Sequence, residues 1–143
     1  MIELSIATDG ASWGNPGISA GHFAVFKDDK IIYEQDNFYG SVTNNHSELL
    51  TIFNAINYLQ NSKYNTPEYT ITLHSDSQLN INLLTNKFSS AKYVNKESVF
   101  IIQKMIRQLK CDFQLEFNPR ETRSISYCDK KAREYLKKLN VFN

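Results

Sequence analysis

Asp9, Glu48, Asp76 and Asp129 are the residues of this 143-residue sequence whose types and positions best fit chemistry. Asp9 and Asp76 each close a stretch of alternating apolar and polar residues, 2–8 and 69–74. If those stretches are parallel neighbouring strands, both carboxylates project at the carboxyl edge of a sheet, where α/β proteins bind ligands. Glu48 stands four residues before Ile52, and Asp129 stands three before Ala132 and seven before Leu136. Each thus starts an inward-facing helical stripe, in or near a first turn where the helix dipole favours negative charge. Taken singly, each residue also reads as a first-turn helix acid or a turn former. Taken together, unit charges about 4 Å apart repel by roughly 4 kcal/mol at an effective dielectric near 20. A converged cluster must therefore protonate, find cations or bind metal. Oxygen-only ligation selects a hard ion, Mg²⁺ or Mn²⁺, over zinc. His22, His46 and His74 have no metal-site spacing and read as structural histidines, and no Ser-His-Asp or Cys-His signal offers a nucleophile.

The elements that must position these acids follow from periodicity. Residues 2–8 alternate as a strand that Asp9-Gly10 ends, and a Gly/Asn/Pro loop covers 10–17. Residues 22–26 and 30–39 read as a hairpin closed at Lys27-Asp28-Asp29. Over 45–60 the period turns helical, with Leu49, Ile52, Phe53, Ile56 and Leu59 on one stripe and Thr43 and Asn44 as capping candidates. A strand over 69–74, a short helix over 78–84, a helix over 96–109, a strand over 113–117 and a helix over 126–139 complete the order. The expected fold class is α/β with a mixed sheet, its third and fourth strands joined by a crossover helix.

Composition narrows the class. With 41% hydrophobic and 22% charged residues the chain can build a core, so wholesale disorder is excluded. The expectation is a single domain over 1–143, without repeat or linker. Cys111 and Cys128 are too few for a disulfide framework and read as reduced, partly buried thiols. The start has no signal-peptide pattern and no apolar run approaches a membrane span, so a cytoplasmic, membrane-free protein is expected. The formal charge of +1 hides a split. Residues 1–86 hold three Lys/Arg and nine Asp/Glu, a net of −6, and residues 87–143 hold thirteen and six, a net of +7. An asymmetry of that kind between the halves calls for a functional explanation, and the acidic half is the one that carries Asp9, Glu48 and Asp76.

Thr8-Asp9-Gly10-Ala11-Ser12-Trp13-Gly14-Asn15-Pro16-Gly17 resembles the TDG(S/A)xxGNPG opening of type 1 ribonuclease H. Thr43-Asn44-Asn45-His46-Ser47-Glu48-Leu49 resembles that family's TNNxxEL helix start, Asp76-Ser77-Gln78 its DSQ strand end, and Cys128-Asp129-Lys130-Lys131-Ala132 its (C/A)DxxA helix. The resemblance implies a ribonuclease H-like fold, a five-stranded mixed sheet whose first three strands form an antiparallel meander, flanked by helices. It implies hydrolysis of the RNA strand of an RNA–DNA hybrid, leaving 5′-phosphate and 3′-hydroxyl ends. Asp9, Glu48, Asp76 and Asp129 would be catalytic and hold two Mg²⁺ ions, with Mn²⁺ a possible substitute. Asn15, Asn44, Asn45 and Gln78 would contact the hybrid and Thr43 would lie near a DNA phosphate. For Asn15 and Asn44 a capping or turn role is the alternative. Trp13 would stack on the nucleic acid or be buried over the sheet edge. No protein partner is implied, and a monomer is expected. A same-fold nuclease acting on duplex RNA or branched DNA, and a catalytically weak nucleic-acid-binding domain, are the competing readings.

The sequence also departs from the family. No histidine follows His74, and the loop before the last acid, Asn118 to Ser124, resembles a shorter PRE-type loop in which Arg120 or Glu121 would take part of the histidine's role. Ile125 stands where an asparagine is common, four residues before Asp129. Residues 84–97 offer only Lys87, Lys92 and Lys96 in place of a Trp- and Lys-rich basic helix, which implies weaker, more salt-sensitive binding.

Overall fold

The computed structural model describes residues 1–85 and 96–140. Along the chain run β1 (Ile2–Gly14), β2 (Gly17–Lys27), β3 (Lys30–Val42), α1 (Asn44–Gln60), β4 (Tyr69–Ser75), α2 (Gln78–Leu84), α3 (Lys96–Gln108), β5 (Asp112–Phe117) and α4 (Arg123–Asn140). The strands form one sheet in the order β3-β2-β1-β4-β5. The first three strands are an antiparallel meander, and β4 and β5 add in parallel beyond β1. This is the five-stranded mixed sheet that the sequence implies.

The alternation in β1 decides which layer lies on which face. Leu4 and Ile6 point into the larger core, with Phe23 and Val25 of β2, Ile71 and Leu73 of β4, and Leu49, Ile52, Ile56 and Leu59 of α1. Val99 and Ile102 of α3 close that core. On the opposite face Ala7 and Ala11 of β1 and Ala20 and Ala24 of β2 are buried under Ile125, Cys128, Ala132 and Leu136 of α4. Alanines there let α4 approach the sheet closely, which brings Asp129 over β1. Each buried Leu or Ile side chain stabilises the fold by about 1.5–3 kcal/mol.

Several boundaries differ from those read in the sequence. The loop expected over 10–17 is a continued hairpin: β1 runs on through Ala11, Ser12 and Trp13, pairing down to Gly14↔Gly17. Only Asn15 and Pro16, joined by a cis peptide bond, make the turn. Gly10 and Gly14 carry no side chain, so the alternation on either side of them was broken in the sequence. Asp9 consequently does not end its strand; it sits within β1, opposite His22 of β2. Parallel pairing with β4 nevertheless stops at Ala7↔His74, so Asp9 does lie at the carboxyl edge of the parallel part. The Asp28 and Asp29 turn is as expected, with φ of 51° and 65° closing β2 on β3 at Lys27↔Lys30.

Helix α4 begins at Arg123 rather than 126, which places Ile125 inside it and fully buried with Ala7, Ala24 and Cys128. An asparagine there would be enclosed by Ala7, Ala24 and Cys128, with Phe26 and Tyr127 alongside. Ile125→Asn is expected to lower stability by about 3 kcal/mol, checked by chemical denaturation, with Ile125→Val costing about 1 kcal/mol.

Candidate active site

Three of the four acids meet at the carboxyl edge of the sheet. Asp9, Glu48 and Asp76 each offer a carboxylate oxygen, and these oxygens lie within 4.8 Å of one another. Asp76 follows directly on Ser75, the last residue of β4. Glu48 arrives through a close helix–strand approach. A Cβ on Gly10 would sit 2.6 Å from Ser47 Oγ and 3.1 Å from the Glu48 backbone nitrogen, so only glycine there lets α1 dock against β1 beside Asp9. Glu48 stands just past the first turn of α1, near it as expected, whereas Asp129 lies in the second turn of α4 because that helix begins at Arg123 rather than 126. The helix dipole therefore does less for these acids than their mutual placement does.

The cluster is electrostatically strained. Asp9 is 3% exposed, and burial, with repulsion from Asp76 and Asp129, pushes its carboxyl up to about 8 despite a 3.0 Å hydrogen bond from the Gly10 N–H. Burial, with Asp9 and Asp76 beside it, pushes Glu48 up to about 9. Asp76 Oδ1 is buried without a hydrogen-bond partner, which carboxylate oxygens rarely tolerate. An oxygen-only donor set with an orphaned buried oxygen fits a hard divalent cation such as Mg²⁺. Asp129 stands apart: Arg133 Nε lies 3.0 Å from both of its oxygens, although its charge still reaches Asp9.

The residues expected to touch nucleic acid form a rim beside the acids. Thr43 is the N-cap of α1, its hydroxyl accepting from the His46 N–H at 3.2 Å. Asn44 is the first helical residue; its N–H donates to Asn15 Oδ1 at 2.9 Å, and its side-chain oxygen accepts from the Ser12 hydroxyl. Of the capping or turn roles weighed for the two asparagines, Asn15 fills one by accepting from a helix N–H, whereas Thr43 is the N-cap and the Asn44 side chain meets Ser12; these contacts staple the β1–β2 turn to α1. The backbone carbonyl of Asn45 accepts from the buried Asn80, leaving the Asn45 side chain exposed. Gln78, exposed at the start of α2, donates to Asn82 at 2.9 Å. Trp13 is 42% exposed, so the alternative of burial over the sheet edge does not hold. Asn80, Ser12 and Arg133 were missed in the sequence; only Arg133 carried a signal, the i,i+4 spacing from Asp129.

Arg120 reaches the acids from the loop between β5 and α4, its Nε 3.5 Å from Asp76 Oδ2 while its side chain remains 70% exposed. Asn118 anchors that loop, its N–H donating to the Ser75 carbonyl and its side-chain oxygen meeting His74 Nδ1 at 2.6 Å. Glu121 is exposed, with no role in the cluster. Lys96 and Arg123 are exposed, whereas Lys87 and Lys92 lie outside the described residues. His22, buried between Asp36 and Glu34, is structural, and both cysteines are free and buried. No helix among the described residues is long and apolar enough to cross a membrane.

An acid cluster at one edge of a 3-2-1-4-5 mixed sheet places the chain in the ribonuclease H class of folds, as its structural neighbours show. RNase H1 from the halophilic archaeon Halobacterium salinarum NRC-1 superposes with a TM-score of 0.83 at 24% identity, covering 95% of this chain and 98% of that one. LC11-RNase H1, isolated from compost by a metagenomic approach, gives 0.85 at 21% identity over 97% and 99%. The same LC11-RNase H1 in complex with an RNA/DNA hybrid gives 0.78 at 20% identity over 93% and 99%. None of the curated proteins matches the chain. The family model described as RNase H matches residues 2–122, and the chain belongs to the RNase H family of ribonucleases.

Proposed function

We propose that the chain hydrolyses the RNA strand of RNA–DNA hybrids, leaving 5′-phosphate and 3′-hydroxyl ends. Asp9, Glu48 and Asp76, joined by Asp129 from α4, would hold two Mg²⁺ ions, and Mn²⁺ would substitute. The observation that carries this reading is the orphaned, buried Asp76 oxygen inside a group of three carboxylates in a chain of the RNase H family. The hybrid bound to LC11-RNase H1 supports the choice of substrate. Held at these carboxylates, a divalent metal would supply an activated water and charge neutralisation at the leaving 3′-oxygen. The chain's own residues orient the strands. Thr43 and the stapled Asn15 and Asn44 would form a ledge, and the exposed Asn45, Gln78 and Trp13 would meet sugars and bases. The chain would work as a cytoplasmic monomer.

Arg120 would hold the reacting phosphate. Its guanidinium stays charged beside Asp76, and its exposure leaves nitrogens available to an incoming anion. Arg120→Ala is expected to reduce kcat/KM on hybrid about tenfold, with Arg120→Lys recovering part of the loss, read from steady-state cleavage. A substrate panel tests the proposal: in Mg²⁺, labelled hybrid is cut while duplex RNA and duplex DNA survive. Equal cutting of duplex RNA would replace it with the reading of a same-fold nuclease on another substrate. Tight hybrid binding without any cutting would leave a binding domain.

A further inference from the structure

Arg133 lies one helical turn beyond Asp129 on α4 and faces it squarely. Its Nε is 3.0 Å from Asp129 Oδ1 and 3.0 Å from Oδ2. The neighbouring cation of the same helix, Lys131, is turned elsewhere, 4.0 Å from Glu134 and over the Tyr127 ring. Asp129 is one of the charges that push the Asp9 carboxyl up, so it belongs electrostatically to the acid cluster. Both of its oxygens are nonetheless engaged by a guanidinium. A cation that takes Asp129 as a ligand must take it in competition with Arg133. The exchange is easy, because Arg133 is 58% exposed and an exposed ion pair contributes at most about 1 kcal/mol.

We propose that Arg133 is a releasable internal counterion that sets the metal concentration at which Asp129 joins the site. The inference rests on the metal-binding reading above and adds an order to it. Asp9, Glu48 and Asp76 engage a cation first, and Asp129 is recruited only as the cation displaces the guanidinium. Arg133 is thus a positioning residue acting through Asp129. It holds the fourth carboxylate away from its repelling neighbours at low metal and gives it up at high metal.

Binding of Mn²⁺ to the full chain, followed by the electron paramagnetic resonance signal of free Mn²⁺, tests this without reference to catalysis. Arg133→Ala is expected to lower the Mn²⁺ concentration at half-saturation by about two- to fivefold, the range an exposed pair supports. Arg133→Lys, which keeps the charge but loses the planar fork, is expected to shift it less. In an Asp129→Asn background the Arg133→Ala shift disappears, because the competed ligand is gone. An unchanged or raised midpoint in Arg133→Ala would overturn the inference, as would a shift of the same size in the Asp129→Asn background. Failure of the wild-type chain to bind Mn²⁺ at all would instead overturn the metal-binding reading beneath it.

Discussion

Asp9→Asn is expected to abolish hybrid cleavage, by about 10³-fold or more, while making the protein more stable in the absence of divalent metal. The two effects have one origin. Asp9 is 3% exposed and feels Asp76 and Asp129, while it acts in turn on Glu48, so it lies at the centre of the acid cluster and of its repulsion. Asparagine keeps an oxygen to accept the Gly10 N–H and removes the charge. Relief of that repulsion is expected to contribute about 1–2 kcal/mol at pH 8 in EDTA, measured by urea unfolding. A variant that lost activity and also lost stability would show that Asp9 acts through the fold. One that kept activity would remove the site from this edge of the sheet.

The second large effect is a dependence of stability on pH that metal reverses. Carboxyls with ordinary values of 3.8 and 4.5 are raised to about 8 at Asp9 and about 9 at Glu48. Between these limits the folded chain keeps protons that the unfolded chain has released. The unfolded state therefore binds fewer protons, and stability falls as pH rises towards 8. For one such proton the linkage limit on the loss between pH 5.5 and 7.5 is about 3 kcal/mol, and a loss of about 1–2 kcal/mol is expected, in line with the gain in Asp9→Asn. Because metal ligands must be deprotonated, Mg²⁺ is expected to bind the folded chain better as pH rises, so that millimolar Mg²⁺ flattens the slope. Urea unfolding at pH 5.5 and 7.5, each in EDTA and in Mg²⁺, reads all four values. A rise in stability with pH in EDTA would contradict the assignment, as would the same slope in Asp9→Asn.

Strand and helix order was legible because both periods are strong where one face is buried. Leu4 and Ile6 against Ala7 in β1, and Leu49, Ile52, Ile56 and Leu59 in α1, pack as their spacing requires. Legibility failed where a residue's role depends on something distant. The extension of β1 past Asp9 needs Ala20, Ser19 and Ile18 of β2 as pairing partners, which no local pattern around Gly10 reveals. The start of α4 at Arg123 depends on the apolar pocket that receives Ile125. In the site, residue types and motif spacing singled out Asp9, Glu48 and Asp76, and the fold brings them together. The engagement of Asp129 by Arg133 and the stapling of Asn15 to Asn44 are side-chain choices among several available partners. The +1 net charge likewise resolves into place: three of the acids that make the first half negative converge in one cluster at the sheet edge.

Single-turnover cleavage of an RNA strand labelled at its 5′ end and annealed to DNA tests the central claim most directly. With millimolar Mg²⁺ the expected result is a set of shortened RNAs ending in 3′-hydroxyl groups, with intact DNA and no reaction in EDTA or with Asp9→Asn. No cleavage of the hybrid at millimolar Mg²⁺, or fragments ending in 2′,3′-cyclic phosphate formed equally well in EDTA, would contradict it.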